Sequence, residues 1–132
     1  MTGTSHAETA MGLRSDRLRV VIVGGGVAAL ETALALADLG RDLTEVTVIA
    51  PNTEFVYRPV VVGEPFAHGA ARRYPLAPIV RDAGATLLHG ELGWIDPVGQ
   101  TIHTKADEAI EYDALVLALG ASIGKRYKKF DR

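Results

Sequence analysis

Gly24, Gly26 and Ala29 stand in the spacing G-x-G-x-x-G/A within "RVVIVGGGVAALETALALADLG", residues 19–40. Residue types this small, at these intervals, suit one kind of chemistry: the holding of a phosphate chain by backbone. Gly24 permits a tight turn, Gly26 lacks the side chain that would keep a pyrophosphate away, and Ala29 lets a helix pack closely on a sheet. The N–H groups of Val27, Ala28 and Ala29 have no partner inside that helix and face the anion. The helix dipole adds ~0.3–1 kcal/mol, and up to ~2 in a partly buried geometry.

The triplet carries this meaning only where a strand leads in and a helix leads out. Leu18 to Val23 is a β-branched run of the kind found in buried strands. Val27 to Leu39 is rich in alanine and leucine and free of proline, so it reads as a helix. It is apolar nearly all round and is expected to be well buried, with Gly40 as its stop. Glu45 to Ala50 reads as the next strand, completing a βαβ unit. In this context the glycines point to a nucleotide or dinucleotide. They do not choose among NAD, FAD and other nucleotides, and a turn that only lets strand and helix pack is the alternative.

Further elements complete a layered domain. "PNTEFVYRPVVVGEPFAHGAARRYP", residues 51–75, is rich in proline and glycine, has no sustained period and reads as a long excursion. Leu76 to Ala83 suits a short helix ended by Gly84, and Ala85 to His89 a third strand. Glu91 to Ile95, Thr101 to Thr104 and Ala109 to Tyr112 suit an antiparallel meander, held on the sheet by Trp94 and Tyr112. Ala114 to Leu119 reads as a last buried strand, closed by Gly120. The expected class is α/β, a three-layer Rossmann-type domain. Its mostly parallel sheet takes the order 3-2-1-4, with a small β-meander over one face and a ligand crevice at the carboxyl ends of the strands.

Composition narrows the function. The chain has 132 residues, which suits one domain, and a formal net charge of −2, which gives no drive toward nucleic acid. It has no cysteine, so disulfides, thiolate metal sites and cysteine nucleophiles are excluded. No apolar run reaches the ~18–20 residues of a membrane span, and the first residues lack a secretory h-region, so a cytoplasmic protein is expected. His6, His68, His89 and His103 show no metal-ligand spacing, and no serine sits in a nucleophile elbow. No catalytic residue and no metal are assigned. Residues 1–16 are expected to form a flexible leader, 17–122 the domain and 123–132 a basic tail holding three of the four lysines. One departure stands out. The acid that usually ends the second strand and takes the ribose hydroxyls is Ala50 here; Asn52 could serve instead, or could be a plain turn residue.

"VVIVGGGVAALETALAL", "VTVIAPNTEFVYRPVV" and "YDALVLALGA", in that order, resemble the N-terminal part of the two-dinucleotide-binding-domain flavoproteins. That group includes the pyridine nucleotide-disulfide oxidoreductase-like enzymes, the type II NADH dehydrogenases and the sulfide:quinone oxidoreductases. The resemblance spans about Arg19 to Ser122. It implies an FAD/NAD(P)-binding fold in which the first βαβ unit takes the ADP part of FAD. It also implies that Arg58 and Pro59 lie along the pyrophosphate and flavin, that adenine meets backbone at Glu91 and Leu92, and that Ala118 and Gly120 pass close to the cofactor. Ala118 stands where threonine is frequent, and Ala50 and the absent redox cysteines depart from the pattern. The family's second nucleotide domain and returning strand are absent from these residues. The resemblance therefore implies the FAD-binding segment of an FAD-dependent NAD(P)H or sulfide:quinone-type oxidoreductase, not catalytic as this isolated chain. The alternatives are an NAD(P)-binding module and a cofactor-free domain acting through a partner or through self-association. An incomplete segment leaves a sheet edge uncovered, so a homo-oligomer is expected.

Overall fold

Val20 and Ile22 point to one side of their strand and Val21 and Val23 to the other, and all four are buried. A strand apolar on both sides must be covered on both sides, and this dictates three layers. The computed structural model describes residues 16–57 and 72–120. Arg58, Pro59, His6, His68, residues 1–15 of the expected leader and the expected basic tail lie outside them.

The middle layer holds β1 (Leu18–Val23), β2 (Thr44–Ala50), β5 (Thr86–His89) and β9 (Ala114–Leu117). They form a wholly parallel sheet in the order β5-β2-β1-β9, which is the expected 3-2-1-4. Helices α1 (Val27–Gly40) and α2 (Leu76–Asp82) cover one face, where Ala29, Leu30, Ala33, Leu76 and Val80 meet Val20, Ile22, Val46 and Val48. The antiparallel meander of β6 (Leu92–Asp96), β7 (Thr101–Thr104) and β8 (Ala109–Glu111) covers the other. Its Ile102 and the following Tyr112 are buried against Val21, Val23 and Ile49. Arg19 ties β1 to the segment between β8 and β9. Its N–H and Nε donate to Asp113 Oδ2 at 2.8 and 3.2 Å, and its Nη1 donates to Glu111 at 2.8 Å. Asp113, then Glu111, hold the guanidinium in its charged form by these bonds, raising its pKa.

Four expectations are corrected. The excursion after β2 contains a two-stranded antiparallel ribbon, β3 (Glu54–Tyr57) with β4 (Arg72–Pro75). Helix α1 is buried along one stripe only, leaving Leu34 and Leu39 exposed, because nothing among the described residues covers its outer side. Gly40 is the last helical residue, not a left-handed stop; its carbonyl accepts from Leu43 N–H and Thr44 Oγ1. Trp94 does not pack the meander on the sheet. It is 56% exposed and stacks on His103, with ring centroids 3.7 Å apart.

Candidate functional site

β1 and β2 run parallel and end side by side, so the segments leaving them must diverge and open a crevice. A cleft of about 480 Å3 lies there. Val23, Gly24, Gly25 and Gly26 form its floor. One wall is the segment leaving β2, with Pro51, Asn52, Glu54 and Val56; the other is Glu91 and Leu92, with Lys105 from the β7–β8 turn. Leu119, just beyond β9, also borders it.

Each floor glycine answers a different constraint. Gly24 has φ +141°, and a Cβ there would collide with the backbone carbonyl of Ala118. That carbonyl is fixed, because Ala118 N–H donates to Val23 O at 2.8 Å. A Cβ on Gly25 would come within 3.0 Å of Ala50 Cβ and 3.2 Å of Leu76 Cδ1, so the turn rests directly on the core. A Cβ on Gly26 would meet no atom within 4 Å. Nothing among the described residues requires a glycine at that position. The space above it belongs to the cleft and leaves the backbone of the turn accessible from there.

Gly26 is also the N-cap of α1, and no side chain caps that end. The first turn holds no acidic residue either, so no acidic side chain of that turn offsets its positive pole. Val27 and Ala28 lie exposed in this turn, while Ala29 is fully buried against the sheet. Of the sequence-predicted residues, Gly24, Gly26, Asn52 and Leu92 are brought together around the cleft. Ala50 is fully buried beneath the glycine turn and does not border it. Ala118 and Gly120 flank Leu119 at the cleft's edge, and Gly120 takes φ +70°.

Two charged pairs stand on the walls, and neither is evident in the sequence. Lys105 Nζ donates to Glu91 Oε2 at 2.6 Å, and Lys105 N–H donates to the Glu91 carbonyl at 2.9 Å. Across the cleft, Glu54 faces Arg73 at 3.7 Å. Both pairs form between separate segments, so only β3–β4 pairing and the meander could reveal them. Among the described residues, no three His, Asp or Glu side chains gather where they could hold a metal ion. No helix among them is long and apolar enough to cross a membrane.

A family model for "Pyridine nucleotide-disulphide oxidoreductase" matches residues 2–68 and 18–127. The sulfide-quinone reductase of Aquifex aeolicus (strain VF5) is 33% identical over 111 residues, covering 79% of this chain and 24% of that protein. The type II NADH:quinone oxidoreductase NdhA of Mycobacterium tuberculosis (strain ATCC 25618 / H37Rv) is 31% identical over 129 residues, covering 92% and 26%. The chain thus spans about a quarter of the length of these curated relatives. A crystal structure of the sulfide:quinone oxidoreductase from Aquifex aeolicus superimposes with a TM-score of 0.67 at 30% identity. That match covers 80% of this chain and 25% of the other.

Proposed function

The chain belongs to the pyridine nucleotide-disulphide oxidoreductase family, and on that premise we propose that its cleft holds the ADP moiety of FAD. The observation that carries this reading is the open space at Gly26, on the floor of the cleft and at the uncapped N-terminus of α1. There the backbone N–H groups of Val27, Ala28 and Ala29 orient and charge-balance the pyrophosphate. Gly24 keeps the end of β9 close, so that Ala118, Leu119 and Gly120 border the same space. Leu92 and Glu91 offer backbone to the adenine. Arg58 and Pro59, outside the described residues, are assigned to the pyrophosphate and flavin, where an arginine fork grips phosphate oxygens with two bonds.

FAD, when bound, supplies hydride and electron transfer. The residues of this chain bind and orient it, and the apolar wall of Phe55, Val56, Leu92 and Leu119 keeps water from part of the cleft. Turnover also requires a donor positioned against the flavin. Within these 132 residues we assign no group to that task, so the reading is a nucleotide cradle of an FAD-dependent NAD(P)H or sulfide:quinone-type oxidoreductase, inactive by itself and cytoplasmic. Self-association of the chain through the edge of β9 that no described strand covers belongs to the same reading.

The test is the visible spectrum of the purified chain, followed by titration with FAD and with ADP. A flavin band or saturable stabilisation is expected, lost in Gly26→Val, whose Cβ would meet none of the described atoms within 4 Å and would take up space on the floor of the cleft. A colourless chain unmoved by either ligand would refute the cradle and favour the cofactor-free alternative. NAD(P)H-dependent reduction of a quinone by the pure chain would refute its inactivity.

A further inference from the structure

The carboxylate that usually closes the ribose site stands at the end of the second strand, and here that place holds a buried methyl group. Ribose hydroxyls lose water when they enter a cleft, and an unpaired buried hydroxyl is costly. Some acceptor must replace the water. Among the described residues, two carboxylates border the cleft, Glu54 and Glu91. Glu91 is committed to the opposite wall, since Lys105 Nζ lies 2.6 Å from its Oε2.

Glu54 is placed differently. It opens β3, four residues beyond Ala50. Its backbone is anchored on both sides, by pairing with Pro75 and by the Leu76 N–H donating to Thr53 O at 2.9 Å. Leu76 is fully buried, so the anchor is rigid. The Glu54 side chain borders both the cleft and an adjoining depression lined by Asn52, Thr53, Val56 and Arg73. Arg73 attracts its carboxylate at 3.7 Å, beyond hydrogen-bond length, which leaves the oxygens able to accept bonds from a ligand.

We infer that Glu54 supplies the ribose-binding carboxylate that β2 lacks, accepting hydrogen bonds from the hydroxyls of an adenine nucleotide with an unphosphorylated ribose. This rests on the nucleotide cradle proposed above. Calorimetric titration of the chain with ADP, 2′-deoxy-ADP and 3′-deoxy-ADP tests it. A hydrogen bond to a charged acceptor discriminates by about tenfold or more, so the wild type should bind ADP that much more tightly than at least one deoxy analogue. Glu54→Ala should erase the preference while leaving the pyrophosphate-driven part of the affinity, and Glu54→Gln, which keeps an acceptor, should retain part of it. Both substitutions fall on a half-exposed side chain, and unchanged melting temperatures would certify the fold. Equal binding of all three ligands by the wild type would overturn the inference and leave the cradle standing. So would a preference that survives Glu54→Ala, or one lost instead in Asn52→Ala. Failure of ADP itself to bind would remove cradle and inference together.

Discussion

Gly24 and Gly26 are the same residue type two positions apart, and they are glycine for unrelated reasons. At Gly24 both φ and the Ala118 carbonyl forbid a side chain. Gly24→Ala should therefore lower stability by about 3 kcal/mol or more, read by urea denaturation of the chain without ligand. At Gly26 an added methyl meets open space, so Gly26→Ala should cost only about 1 kcal/mol, the loss of a favourable N-cap residue, while weakening ADP binding. Equal destabilisation by the two would show that the floor of the cleft is built otherwise. The spacing of the motif was legible in the sequence. The division of labour within it was not, because it depends on Ala118, which only the pairing of β1 with β9 brings to Gly24. Glu54 was hidden for a similar reason. Its place on the wall follows from the β3–β4 ribbon, whose four-residue strands show too little alternation to stand out from a loop. Arg19 offers a third test at this scale. Because its pKa is raised, its contribution is complete below the ordinary guanidinium range and is lost only at higher pH, so its own titration adds no pH dependence near neutrality. Arg19→Met should cost about 1 kcal/mol, since the side chain and its acidic partners are all about one-third exposed or more.

The meander shows what one irregularity does to an element. Its three strands could be read from the turns around "DPVGQ" and "KADE", within a residue or so of their observed ends. The orientation of Trp94 could not. The register of β6 against β7 shifts between Leu92 and Trp94, so strict alternation fails there. Gly93 sits in that bulge, where a Cβ would come within 3.0 Å of the His103 carbonyl. Past the bulge, Ile95 turns inward opposite Ile102, while Trp94 turns out onto His103. The large aromatic is therefore peripheral, and the isoleucine holds the layer on. Ile102→Ala should cost about 2–5 kcal/mol, the range for emptying a fully buried aliphatic site. Trp94→Phe should cost under ~1 kcal/mol, because it alters a half-exposed stack. Thermal unfolding followed by circular dichroism would compare them, and the reverse ranking would contradict the assignment of the inner face. Helix α1 was misjudged on related grounds. An alanine- and leucine-rich pattern says that a helix is stable, but its burial depends on how many layers surround it.

At the scale of the whole molecule, the sheet order followed from the chain itself: a βαβ unit opens it, and later strands add to either side. What the order leaves exposed is the argument for association. β9 has one strand neighbour, β1, and none of the other described strands pairs with its far edge, the kind of edge that invites pairing with another chain. Leu117 and Leu119, at and just beyond its end, are 52% and 60% exposed, as a buried central strand would not be. Native edges are usually protected by charge, proline or a bulge, and Ala114–Leu117 has none of these. Our proposal is that a second copy of the chain covers this edge. Leu117 does not border the cleft, so association and nucleotide binding can be separated. Sedimentation equilibrium of the wild type at micromolar concentration should show a dimer or larger species. Leu117→Lys, which places a charge on the edge, should shift it to monomer with ADP affinity unchanged. A wild type that sediments as a monomer would end the proposal. A Leu117→Lys dimer would move the contact to another apolar surface, of which the outer side of α1, with Leu34 and Leu39, is the next to substitute.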